Sequence, residues 1–281
     1  MRRKVRPNGP FNTAAQFHPS GFASFGAPEM AASATTDVLD TFAPISLADM
    51  DGVKLQDRVD TKYVFGEAEL PEVLAAMLPH YRVLEVNGMR GTKYSSLYYD
   101  TADLQHYKDH HNGRTFRSKV RFREYLGADL VFLEVKRKTG RGRTDKKRIL
   151  VPAIPLTLDP SQQEFVSKAN GQDHPLHPTL WNHFTRYTFV NKHSPERLTM
   201  DVDLRYSDPA GERVLGGVVI AELKQERADR TSPFVRIMRK RVVAASGMSK
   251  YCIGMLLMER DVKHNAFKQV LLKLERIRNA A

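Results

Sequence analysis

The stretch from Arg114 to Arg148 constrains the chain more than any other: its 35 residues hold 13 Lys or Arg against only Glu124, Asp129, Glu134 and Asp145. Nine of the chain's twelve net positive charges therefore fall in one segment. Their spacing matters more than their number. Lys119, Arg121 and Arg123 stand two apart around Val120 and Phe122, and Tyr125 closes the run. After Gly127-Ala128-Asp129, the series Phe132, Glu134, Lys136 and Lys138 repeats the alternation around Leu133, Val135 and Arg137. Successive side chains of a strand point to opposite faces, so each run presents one apolar face and one cationic face, and the turn between them predicts a hairpin. A single such strand reads as a sheet with a core side and a wet side. Two neighbouring strands of one sign are different: like charges directly opposite repel by a few tenths of a kcal/mol or more per pair. A merely solvated sheet mixes its signs. The density favours a face that holds a polyanion, and charge alone leaves nucleic acid, anionic lipid and phosphorylated small molecules open.

With 281 residues, 41% hydrophobic and 27% charged, the chain is long enough for one large domain or two small ones. Its one cysteine, Cys252, excludes an intrachain disulfide and fits a reducing, cytoplasmic setting. Cys252 reads as a core residue rather than a nucleophile. No apolar run reaches the roughly 20 residues of a membrane helix, which leaves docking to a membrane-protein partner open. Residues 1–41 read as an unstructured extension. Strands are expected at 56–65, 81–86, 92–99, 146–151, 184–190, 197–206 and 214–225, besides the basic hairpin. Helices are expected at 67–78, 101–110, 159–169, 232–239 and 250–261, and a basic C-terminal helix over 263–281 packs its Phe267, Val270, Leu271, Leu274 and Ile277 stripe on the barrel. Most strands alternate charge: Arg58/Asp60/Lys62, Arg121/Arg123, Glu134/Lys136, Asp201/Asp203, Glu222/Lys224. Turned inward, these faces line a hydrated bore, and an eight-stranded barrel has room for one small or threaded ligand. GxxxxGK[ST], GxSxG, HExxH and GxGxxG are absent from the sequence. His174, His177 and His183 read as loop histidines rather than metal ligands.

Eight fragments, in this order, resemble the VTC-type polyphosphate polymerase domain, a branch of the triphosphate tunnel metalloenzymes with a CYTH-like fold. They are Arg58-Val-Asp-Thr-Lys62-Tyr63, Tyr98-Tyr99-Asp100-Thr101, Lys119-Val-Arg121-Phe-Arg123-Glu-Tyr125, Phe132-Leu-Glu134-Val-Lys136, Thr185-Arg186-Tyr187-Thr188, Arg197-Leu-Thr-Met-Asp201, Ala221-Glu222-Leu-Lys224 and Ser249-Lys250-Tyr251. The resemblance spans about 42–262 and implies an α+β fold: an eight-stranded antiparallel β-barrel, the triphosphate tunnel, with flanking helices. It implies that Lys62, Arg121, Arg123, Lys136, Arg186, Arg197 and Lys250 grip the phosphates of ATP and of a polyphosphate chain. Ser249, Lys147, Lys119 and Lys138 are assigned to substrate binding, and Glu222 to Mn2+ or Mg2+. Asp201 and Asp203 read as counter-charges that orient the cations. Hydrolytic members begin with a Glu-x-Glu-x-Lys strand; here it reads Arg58-x-Asp60-x-Lys62, as in the polymerase branch. Phosphoryl transfer needs alignment and cancellation of charge more than covalent help, and an ionised phosphate acceptor needs no general base. The alternatives are a tunnel triphosphatase and a non-catalytic polyphosphate binder. Nucleic acid is not expected, because stacking platforms belong beside the basic groove and Val120, Phe122, Leu133 and Val135 lie opposite the charges.

Overall fold

In the computed structural model, residues 29–50, 58–140 and 144–280 are described. Helix α1 (Glu29–Asp40) comes first, followed by β1 (Pro44–Ile45) and β2 (Val59–Gly66). Next come α2 (Leu70–Met77), β3 (Tyr81–Leu84), β4 (Gly91–Asp100) and α3 (Gln105–His111). The basic segment forms β5 (Arg117–Tyr125), β6 (Leu130–Lys138) and β7 (Thr144–Val151), and α4 (Pro160–Asn170) follows. The chain ends with β8 (His177–Asn191), β9 (Glu196–Asp208), β10 (Gly211–Leu215), β11 (Val218–Gln225), α5 (Pro233–Lys240), α6 (Lys250–Leu257) and α7 (Lys268–Asn279).

Eight strands run in the hydrogen-bonded order β2-β11-β9-β8-β4-β5-β6-β7, every neighbouring pair antiparallel. The sheet curls into a tunnel, but its end strands β2 and β7 are not paired, so the barrel is not closed by a hydrogen-bonded seam. The three further strands sit off this path: β10 extends β9, and β3 joins β1 to β8.

The alternation seen in the sequence becomes two faces. Val120, Phe122, Leu133, Val135 and Val151 turn outward into one core with Leu158, Val166 and Ala169 around α4. Asp159 caps α4 by accepting from the Gln162 amide at 2.9 Å, and Pro160 begins the helix where its missing N–H costs nothing. On the opposite wall Phe65, Met200, Val219, Ala221 and Leu223 turn outward onto Val73, Leu74, Phe234 and Met238 of α2 and α5. The third core fills one end of the bore: Val64, Tyr98, Leu180, Leu204 and Ile220 meet Tyr251, Ile253 and Met255 of α6.

Several expectations are corrected. The segment before Phe42, expected to be unstructured, carries α1, whose Leu39 is buried against Phe42, while residues 1–28 lie outside those described. His177 and His183 belong to β8, not to a loop. Asp203 does not counter the bore cations: it adopts φ 54°, and this left-handed step leaves it exposed on the outside of β9. Beyond it the bore-facing residues become Leu204 and Tyr206. Helix α7 sets Leu274, Val270 and Ile277 against the third core. No described helix is long and apolar enough to cross a membrane.

Candidate functional site

Cross-strand register decides which side chains share the bore. Lys119 stands opposite Lys136, Arg121 opposite Glu134, and Arg123 opposite Phe132. Lys136 in turn opposes Lys146, and Glu134 opposes Arg148. On the other wall Glu222 opposes Lys62, Lys224 opposes Arg197, and Asp201 opposes Arg186. Because directly opposed residues point to one face, the other charged side chains form a ring on the inside of the curl, with Phe132 and exposed Arg148 at its rim. Lys147, expected among the substrate-binding residues, falls outside the ring: its partner is Val135, on the α4 side, and Lys146 takes the inward position. The sequence held the signal, since Lys147 is in phase with the apolar Ile149 and Val151. Lys138 lies in the same alternating series as Glu134 and Lys136, at the end of β6 opposite Arg117.

Three carboxylates brace this ring. Glu134 accepts from Arg121 Nε at 2.8 Å and Nη2 at 2.7 Å and pairs with Lys146. Arg121 Nη1 also reaches the Tyr98 hydroxyl at 3.2 Å. Asp201 holds Arg186 through two bonds of 2.6 and 2.8 Å and also accepts from Lys250. Glu222 accepts from Lys62 at 2.5 Å through Oε1 and from Lys224 through Oε2. Burial would raise all three carboxyls, but the adjoining cations outweigh it and hold each well below the carboxylate range. They are fixed anions.

Arg123, Lys136 and Arg197 have no carboxylate hydrogen bond or ion pair among the described residues. Arg123 is 6% exposed; its Nε reaches Ser96 Oγ at 3.2 Å and its head lies 5.1 Å from the Tyr94 centroid. Burial, then Arg121 and Arg186, depress its proton affinity. Arg197 Nε is buried without a hydrogen-bond partner, and burial with Arg58 and Arg186 acts on it the same way. Lys136 is lowered by burial, with Glu222 opposing and Lys62 adding to the effect across the bore. Lys146 and Lys224 are both pushed down to about 8 by burial, with their carboxylate partners opposing.

Helix α6 delivers two more groups. Ser249 caps it, accepting from the Cys252 amide at 3.2 Å and from Lys119 Nζ at 2.8 Å. Lys250, the first residue of α6, reaches Asp201 and lies 4.8 Å from the Phe184 centroid. Tyr251 anchors the helix, donating to fully buried Asp100 at 2.6 Å. Asp100 also accepts from the amides of His106 and Tyr107 at the start of α3, at 2.8 and 3.0 Å. The Tyr-Tyr-Asp-Thr and Ser-Lys-Tyr fragments are thus joined, and their polar residues set the height of α6 in the bore. Sequence reasoning placed Lys224 in the alternation of its strand but gave neither it nor Lys146 a site role, and it missed the rings of Tyr94 and Phe184 on the inner face.

Among the described residues no three His, Cys, Asp or Glu side chains gather to hold a metal. Glu222 supplies one hard carboxylate, with both oxygens already on lysines. That donor set fits Mg2+ or Mn2+ only as a shared site, in which phosphate oxygens and water complete the shell.

A curled antiparallel sheet, apolar outside under helices and cationic inside, makes a tunnel whose lining is chemically suited to an anion of several charges. The VTC domain profile matches residues 57–259, and the chain belongs to that family. Similar solved structures include a candidate adenylate cyclase from Vibrio parahaemolyticus, at 15% identity and TM-score 0.42, covering 70% of this chain and 98% of that one. A candidate adenylyl cyclase from Hippeastrum with a dominant triphosphatase activity is 16% identical at TM-score 0.45, covering 71% and 95%. A protein from Pyrococcus horikoshii is 15% identical at TM-score 0.41, covering 72% and 96%. No curated protein matches the chain.

Proposed function

We propose that the chain is a polyphosphate polymerase that moves the γ-phosphoryl group of ATP onto a growing inorganic polyphosphate. The observation that carries this reading is that Arg123, Lys136 and Arg197 have no carboxylate hydrogen bond or ion pair among the described residues, beside Arg121, Lys146, Arg186, Lys250, Lys62 and Lys224, which are braced by Glu134, Asp201 and Glu222. Braced arginines keep a fixed fork for nonbridging oxygens, while unpaired cations supply the charge that a triphosphate must meet. In the transfer, a terminal oxygen of the polyphosphate forms a bond to the γ-phosphorus as its bond to the β–γ bridging oxygen breaks, and ADP leaves. The acceptor is an anion, so no proton has to be removed from it. Arg121, Arg123 and Arg186 offset charge on the transferring group, and lysines along β5 and β6 hold the chain without fixing its register. A divalent ion bound between Glu222 and the phosphates would supply further charge neutralisation.

Incubation with ATP and Mn2+ tests the reading, with long polyphosphate stained on a gel and ADP and free phosphate counted separately. Polymer with matching ADP supports it. Free phosphate without polymer assigns the bore to a triphosphatase instead, and polyphosphate binding without turnover assigns it to a binding domain.

A further inference from the structure

The inner face carries rings as well as charges. Phe184 stacks on Tyr94 at 5.1 Å and 7°, Tyr94 meets Tyr125 at 4.8 Å, and Tyr125 meets Phe132 edge-on at 5.8 Å. This row crosses β8, β4, β5 and β6. Its inner end is buried beneath cations, with Arg123 and Arg186 lying 5.1 and 5.3 Å from the Tyr94 centroid. Its outer end is open. Arg148 is exposed and lays its guanidinium 4.5 Å from the Phe132 centroid. Leu150 stands opposite Phe132 and is 63% exposed, and Leu130 is 40% exposed. None of these three residues belongs to a core cluster of the fold.

We infer that this rim is a nucleoside shelf. The base of a nucleoside triphosphate lies on the Arg148–Phe132 layer with Leu150 at its edge, and its phosphates run inward past Arg123. The inference rests on the phosphate-binding reading above and names which part of the substrate each end of the bore receives. A guanidinium already seated on a ring is a preorganised plane, and both it and the ring stack on any base through the π-face. The spacing suits the ligand: Phe132 and Lys136 are four residues apart on one strand, about 13 Å, which leaves room for a triphosphate between base and inner cations. Recognition by stacking is tolerant, so adenine and guanine nucleotides should both be accepted.

Isothermal titration of the full chain with ATP and with inorganic tripolyphosphate separates the shelf from the phosphate site. Phe132→Ala and Arg148→Lys should each weaken ATP binding by about 5- to 100-fold and leave tripolyphosphate within about twofold. Arg148→Lys keeps the charge at an exposed position, so it carries the test if melting shows that Phe132→Ala fails to fold. Equal losses for both ligands, or no loss of ATP affinity in Arg148→Lys, would overturn the shelf while tripolyphosphate binding leaves the phosphate site standing. A wild-type chain that binds neither ligand removes both readings.

Discussion

Arg123 shows how a single residue ties sequence to chemistry. Its position in the Lys-x-Arg-x-Arg run places it inside the curl, and Tyr94, Phe184 and Ser96 hold it there with no carboxylate hydrogen bond or ion pair among the described residues. Arg123→Ala should lower kcat/KM for polymer synthesis by about 10²- to 10³-fold, comparable to losing one preorganised charge-stabilising donor. An unchanged melting curve would show that the fold survives, and near-normal turnover would take Arg123 out of the site. The depressed lysines make a second prediction. Burial pushes Lys146 and Lys224 down to about 8, and a bound polyanion would raise them. Once protons released by the terminal phosphates are subtracted, tripolyphosphate binding should therefore take up more protons at about pH 8 than at about pH 6, where both lysines are already charged. Calorimetry in two buffers of different ionisation enthalpy measures this directly. For the carboxylates the sign is opposite. Glu134, Asp201 and Glu222 are held low, so they add stability above about pH 4.5, and that stability is lost as pH falls through their folded values.

Among the elements, α6 couples packing to the site most directly. Gly254 lies against β8 and β9 so closely that an added Cβ would come 2.4 Å from Tyr206 and 2.6 Å from Leu180. Gly254→Ala should cost about 1–3 kcal/mol of stability, read from denaturant melts, because the helix must move off the bore. Tyr251→Phe removes only the hydroxyl that Asp100 accepts and should cost about 1–3 kcal/mol. A melt unchanged by Tyr251→Phe would mean that the Asp100 bond does not fix the height of α6. The strands were easier to read than this helix. Alternation in β5 and β6 gave their inner residues directly, and parity with Ile149 and Val151 would have placed Lys147 outside. No local pattern announces the Asp203 step, because a single left-handed residue is allowed by Asp but not demanded by it.

For the whole molecule, the cations gathered on the inner face should be costly until an anion arrives. Tripolyphosphate at 100 times its Kd should add about 2.7 kcal/mol to stability. Raising salt from about 50 to 200 mM should weaken its binding at least about tenfold. Thermal melts with and without ligand at the two salt levels test both. A salt-insensitive shift would place the ligand somewhere other than the cationic bore.

The sequence by itself determined that strands with one apolar and one cationic face had to exist, because a period of two is written into the residue order. It also carried the ordered fragments by which the family is recognised. Only the tertiary structure decided that the cationic faces turn inward and that Asp203 leaves the ring. It alone assembled a row of rings from Phe184, Tyr94, Tyr125 and Phe132, residues drawn from four strands. The physical reason is the range of the forces: alternation is a property of neighbours along the chain, whereas facing, register and stacking are set by contacts between strands far apart in sequence.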